Sequence, residues 1–205
     1  MTNDQIIYDT AIKAGFSPSA AKLVVAQARF ESSDYTSPVF RNNNATSGMK
    51  FIGQPNARRG TLAPFSERSA GCRSVTANKV GGFGPPPCKD SDHYAAYNSV
   101  GDSAADKINR LYSRTMGGVT PEMLKNVKDA DEFAALLKKR SYYGFGKFGT
   151  DLGNKEQREY AGGLKVKLLK VQVLEFVRKN KFPLLGVLLI AIGVSSYLYF
   201  RLNKK

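Results

Sequence analysis

The chain has 205 residues and a formal net charge of +14, enough for one domain with a real core plus an appendage. Two cysteines and one histidine exclude a Cys/His metal set of familiar spacing, and no metal or cofactor is expected. Residues 1–163 hold 22 basic and 16 acidic side chains and residues 164–205 hold 9 and 1, which argues against a nucleic-acid surface spread over the fold.

Residues 3–14 read as a short helix ended by Gly15. Ser17-Pro18 then supplies an N-cap followed by proline at the first helical position, and the next helix runs to about Ser32. At 100° per residue, Ala20, Val24, Gln27 and Ala28 share a face with Glu31. That places a carboxylate on the apolar face of a helix, in the last turn, where the dipole disfavours negative charge. Such a group is badly positioned for folding and well positioned to donate a proton.

Residues 33–98 are rich in Gly, Pro, Ser and Asn, and are expected to form loops with a small β-hairpin, Arg73–Ala77 being one β-like run. Cys72 and Cys88 flank a Gly/Pro-rich stretch within this region. They either close a disulfide or remain two free thiols. Helical signals return at 102–115, at 121–128 after Thr120-Pro121, and at 130–140, where Asp129 and Glu132 have capping-box spacing. A last domain helix is expected over 154–163. Helices around a small β insertion fit an α+β, lysozyme-like, mainly helical domain with a small β-hairpin lobe.

Beyond it, residues 164–181 mix Leu, Val and Phe with six basic residues and read as a basic juxtamembrane helix. Phe182 to Phe200 carries no charge. At 1.5 Å per residue this stretch is ~28 Å long, against a hydrocarbon core of ~30 Å, so a C-terminal transmembrane helix over 182–200 is expected. Residues 201–205 form a basic tail. No secretory signal is visible at Met1-Thr2-Asn3-Asp4.

Four stretches, in order, resemble the glucosaminidase family of peptidoglycan hydrolases that includes flagellar hydrolases and autolysins (glycoside hydrolase family 73). They are Ala26-Gln27-(x)3-Glu31-Ser32, Asn43-Asn44 leading to Gly48-Met49-Lys50, Tyr94-Ala95-Ala96-Tyr97-Asn98-Ser99 with Ser103, and Ser141-Tyr142-Tyr143-Gly144 with Glu159-Tyr160-Ala161-Gly162-Gly163-Leu164. The second departs from the family pattern by about two extra residues and a missing phenylalanine. The resemblance implies cleavage of a β-1,4 glycosidic bond of peptidoglycan with Glu31 as general acid. It places a second carboxylate on the hairpin, where Glu67 matches best and Asp90 and Asp92 are alternatives. Asn44, Met49, Tyr97, Tyr142 and Tyr160 are the implied substrate-binding residues, although Tyr97 also reads as a packing residue.

The expected partners are peptidoglycan, a lipid membrane through 182–200, and other virion proteins. No nucleic acid is expected. The combined expectation is a membrane-anchored hydrolase that opens the bacterial wall locally during phage entry or exit, in a virion membrane or facing the periplasm. A lytic transglycosylase and a non-catalytic wall-binding virion protein are the alternatives.

Overall fold

The computed structural model of the chain describes residues 1–69, 72 and 88–180. Helix α1 (Asn3–Lys13) begins where the Thr2 hydroxyl accepts from the Gln5 amide, and it buries Ile7 and Ala11. Gly15, at φ +87°, then turns the chain. Helix α2 (Pro18–Glu31) is capped as expected, with Ser17 accepting from the Ala20 amide. Every residue from Ala20 to Arg29 except Lys22 is buried. A helix buried on most of its circumference is a central one, and its four small alanines (Ala20, Ala21, Ala26 and Ala28) let neighbours approach closely.

Immediately after Glu31 the backbone does something costly. Ser33, Asp34 and Tyr35 have φ of 50°, 56° and 68°, a left-handed turn of three non-glycine residues at about 1–2 kcal/mol each. Side chains over-determine it. Ser32 Oγ donates to the Ala28 carbonyl and accepts from the Tyr35 amide, at 2.6 and 3.0 Å. Arg29 donates to both carboxylate oxygens of Asp4 and to Asp34. The Tyr35 hydroxyl reaches Asp4 at 2.8 Å, and Lys167 reaches Asp34 at 2.8 Å.

Helix α3 (Pro38–Asn43) ends in a left-handed Asn44. Strands β1 (Ala57–Leu62) and β2 (His93–Tyr97) pair antiparallel, Ala57 opposite Tyr97 and Leu62 opposite His93, with an irregularity between Arg59 and Leu62. Lys50 bridges Tyr94, so Met49–Phe51 lies along β2 as well, Met49 and Phe51 each exchanging a 2.8 Å backbone bond with it. Asn43 ties α3 to the sheet by bonding the Thr61 amide and hydroxyl. A Cβ on Gly60 would strike the Asn43 carboxamide, which is why this strand carries glycine there.

Between the strands, a turn at Phe65–Glu67 and another at Asp90–Asp92 flank a disulfide joining Cys72 and Cys88. The two cysteines are thus paired. The β-like run Arg73–Ala77 lies outside the described residues. After β2 come α4 (Val100–Lys107), a π-helical turn (Ile108–Tyr112), α5 (Pro121–Lys125), α6 (Ala130–Lys139) and α7 (Asp151–Asn180). Helix α1 packs on α2 and α4, and the core includes Ile7, Leu23, Val24, Phe133, Leu137 and Leu164.

The α+β arrangement, mostly helical with a two-stranded sheet, is as expected. The transmembrane element is corrected. Among the described residues no helix is long and apolar enough to cross a membrane. Helix α7 is 30 residues long, but Lys165, Lys167, Lys170, Glu175, Arg178 and Lys179 interrupt it, and charges at that density bar it from hydrocarbon. The segment 182–200 itself lies outside the described residues. The chain divides into Met1–Leu168 and Leu169–Lys205, where the sequence suggested 163/164; α7 runs through both positions without a break.

A Cys72→Ser/Cys88→Ser double variant should unfold at lower denaturant concentration, with a loss of ~3 kcal/mol expected for a loop of this length. Chemical denaturation with and without reductant measures it.

Candidate active site around Glu31

Glu31 is the last residue of α2 and is half-buried. Its Oε1 accepts from the Tyr160 hydroxyl at 2.9 Å. That hydroxyl accepts in turn from Gln27 Nε2 at 3.0 Å, and the Gln27 carbonyl accepts from the Tyr112 hydroxyl. The chain runs Tyr112 → Gln27 → Tyr160 → Glu31, every donor pointing toward the carboxylate. Successive bonds of this kind polarise one another. Gln27 and Tyr112 are both sealed from solvent and Tyr160 is nearly so.

The supporting shell explains the local sequence. Phe30 meets Tyr160 edge-on at 5.2 Å, and Tyr143 stacks on Tyr160 at 4.0 Å. A Cβ on Gly163 would strike the Phe30 ring, so glycine at this position lets α7 pass close to α2. Tyr143 is held by Ala134, whose carbonyl accepts its hydroxyl at 2.8 Å. Glu156 fixes the loop beyond, accepting from the Phe145 and Gly146 amides at 3.0 Å each and from the buried Lys138. The Lys138 bond and these amides hold the Glu156 carboxyl below its usual range.

Tyr142 lies on the same loop and faces Glu31. Burial pushes its hydroxyl well above the usual tyrosine range, and the neighbouring Glu31 charge adds to this. The hydroxyls of Tyr160 and Tyr112 are raised for the same two reasons. All three therefore stay protonated and serve as donors. Lys107, 1% exposed, is the remaining member. Burial lowers it to about 8 against the opposing pull of Glu31.

Of the residues expected to act, Glu31, Tyr142 and Tyr160 converge. Glu67 belongs to the β lobe, with its side chain 48% exposed. Lys50 Nζ pairs with it at 2.7 Å and the Tyr94 hydroxyl reaches it at 3.3 Å. Asp90 pairs with Arg59. Asp92 is buried and accepts from the Ser69 amide and hydroxyl and the Lys89 amide, and the Ser69 bonds above all hold its carboxyl below the usual range. It is thereby occupied as a loop brace.

Asn44 donates to the Tyr97 and Asn98 carbonyls, closing the end of β2, and Met49 contributes its carbonyl to the Ala95 amide. Tyr97 is 1% exposed, with its hydroxyl on Asp106 at 2.7 Å. It packs beneath the sheet. An open cavity of ≈ 380 Å³ lined by Asn56, Asp106, Asn109, Arg110 and Arg114 contains none of the expected site residues.

Sequence reasoning missed Tyr112 and Lys107 and gave Gln27 no role. A signal existed for two of them. Gln27 interrupts a run of Ala and Val on the buried face, and Lys107 continues the stripe Val100, Ser103, Ala104, all buried. A polar residue at a core position of either stripe needs a partner or a function.

Two outcomes follow. Gln27→Leu keeps the volume and strands the Tyr112 hydroxyl, so a loss of about 1–3 kcal/mol is expected in urea unfolding. For pH, a Lys107 value lowered from 10.5 to about 8 means the unfolded chain binds the extra proton between those values. Stability should rise from about pH 8. Above the ordinary tyrosine value of 10.0 the raised tyrosines reverse the slope, because the unfolded chain then releases protons the native state keeps. Thermal melts across pH 7–11 read both limbs, and Lys107→Met should remove the first.

No family model matches the chain, and no curated protein matches it. A solved chain from a type VI secretion system effector–immunity complex of Pseudomonas protegens is similar at 14% identity and a TM-score of 0.45, over 81% of this chain and 88% of that one. At that distance neither activity nor partner carries over from that complex to this chain.

Proposed function

We propose that the chain is a peptidoglycan glycosidase of the N-acetylglucosaminidase type, with Glu31 as general acid. The observation that carries the reading is the one-way hydrogen-bond chain ending on Glu31 Oε1, in the order of motifs that resembles glycoside hydrolase family 73. A glycosidic oxygen leaves poorly unless it is protonated as the bond breaks. Glu31 supplies that proton. Tyr160 holds one oxygen of the carboxyl so that its orientation is fixed, and Tyr142 donates from the loop side. The carboxylate left behind then activates the incoming water, recovering a proton from it.

Glu67 is the second carboxylate of this reading, delivered from the β lobe. In the present arrangement Lys50 and Tyr94 occupy it, so this role requires the salt bridge to open when sugar binds. A half-exposed ion pair is worth little in water, and its opening is not a barrier. This reading concerns the wall-cleaving domain; the segment 182–200 lies outside the described residues.

A second reading, lytic transglycosylation, is favoured by one observation. Each of the three candidate second carboxylates already has a partner, and single-carboxylate chemistry needs none of them. An anhydro end on the released sugar, read by mass, marks that reaction; a reducing end marks hydrolysis.

Glu31→Gln should lower the rate of lysis of purified cell walls by 10²-fold or more while leaving the circular dichroism spectrum unchanged. Wild-type rates in that variant contradict the reading. Glu67→Gln should cost as much under hydrolysis, and Asp90→Asn should be near neutral.

A further inference from the structure

The open cavity of ≈ 380 Å³ beside α4 has no part in the reaction above. Its walls come from separate parts of the fold. Asp106, Asn109 and Arg110 are three and four residues apart, so the end of α4 and the π turn present them together, while Lys107, Ile108 and Tyr112 are buried. Asn56 lines the cavity from the turn into β1, where the Ala57 amide donates to the Gln54 carbonyl at 3.1 Å. Arg114 completes the lining, and its main chain is held by Arg140, whose Nη1 donates to the Arg114 carbonyl at 2.7 Å.

The acid in this lining is already engaged. Asp106 Oδ2 accepts from the buried Tyr97 hydroxyl at 2.7 Å and Oδ1 from Arg110 Nε at 3.0 Å. Its side chain is 11% exposed. The same bond anchors Arg110 by Nε and leaves Nη1 and Nη2 without a hydrogen bond among the described residues. The Arg114 guanidinium and the Asn56 and Asn109 carboxamides also make none there.

The chemistry of those groups defines what fits. Two guanidinium groups against one carboxylate leave a single positive charge, which suits a monoanion. A dianion such as phosphate would meet the fixed Asp106 carboxylate, a like charge that cannot turn away. A guanidinium fork matches the two oxygens of a carboxylate. A carboxamide offers an acceptor as well as donors, so two of them suit a ligand with N–H groups beside its charge. Size points the same way. Small-molecule pockets run from about 300 to 1,000 Å³, whereas one water fills about 30 Å³.

We propose that this cavity binds the free carboxylate end of a short peptide, one of those carried by the wall glycan, with Arg110 and Arg114 on the carboxylate and Asn56 and Asn109 on the adjoining amide. That the peptide comes from the wall rests on the glycosidase reading; carboxylate binding in the cavity does not. Wall peptides end in D-residues, whereas a protein ends in an L-residue, so the two sources differ in a property that can be measured.

NMR of the ¹⁵N-labelled full chain tests this with N-acetyl-D-alanyl-D-alanine as the probe. The Arg110 and Arg114 Nε–H signals and the Asn56 and Asn109 side-chain amides should shift saturably. Arg114 is exposed, so Arg114→Gln keeps the fold, and it should raise the Kd about tenfold. The C-terminal amide of the same dipeptide, which lacks the charge, should leave these signals in place. Equal binding of that amide, tighter binding of inorganic phosphate, an unchanged Kd in Arg114→Gln, or no saturable shift each overturns the proposal. Tighter binding of the L,L dipeptide assigns the cavity to a protein C-terminus and overturns the wall peptide as its occupant. Saturable D,D binding in a protein that lyses no wall upholds the site and removes the glycosidase reading instead.

Discussion

A buried carboxamide cannot be left unpaired, and most of the site follows from satisfying one. Gln27 sits at the centre of a helix whose neighbours are Ala and Val, shut off from water. Its carbonyl needs a donor and its amide an acceptor. Tyr112 supplies the first from the π turn and Tyr160 the second from α7. Three elements distant in sequence are thereby held to one point. Because the amide fixes which end donates, the Tyr160 hydroxyl is left with its own proton to give, and it gives it to Glu31. With the Gln27 carboxamide reversed, the Tyr160 hydroxyl would give its proton to the Gln27 carbonyl and not to Glu31, so the carboxamide orientation sets the direction of the chain.

The second constraint lies just beyond the site. A left-handed turn of Ser33, Asp34 and Tyr35 is intrinsically unfavourable, and the Arg29 guanidinium, bound to Asp4 and Asp34, holds it shut. Consequently α2 stops at Glu31 and its carboxylate stands at a defined helix end. In energetic terms the strain is local, whereas the bonds that oppose it draw on α1, α2 and α7. Strained backbone next to a reactive group is common where rigidity serves chemistry, and here it adjoins the proposed acid directly.

Much of this was legible in the sequence where a local rule suffices. Ser17-Pro18, Thr120-Pro121 and Asp129 mark helix starts because capping and proline act within four residues. Ser37-Pro38 is the same signal and does start a helix, but the Asn- and Ser-rich surroundings obscure it. Strand β1, Ala-Arg-Arg-Gly-Thr-Leu, has no alternation and a single β-branched residue, Thr61, to announce it; it is a strand because β2 and Asn43 pair with it. The π turn has no compositional mark at all, so Tyr112 could not be assigned to the site. The last domain helix is expected over 154–163, yet α7 runs from Asp151 to Asn180, with Gly163 at the point where it passes Phe30. Glu31, Tyr142 and Tyr160 were reachable from motif order, while the partners of Glu67 depend on a sheet register that local patterns do not encode.

The central claim is that the sugar reacts where the hydrogen-bond chain ends. NMR on Glu31→Gln, which can hold substrate without cleaving it, tests this most directly by titrating in a defined peptidoglycan tetrasaccharide. The account predicts that the largest shifts fall on the Tyr142 and Tyr160 rings and on the residue 31 carboxamide. Shifts confined to the cavity beside Asn109 and Arg110, or none at saturating sugar, would contradict it.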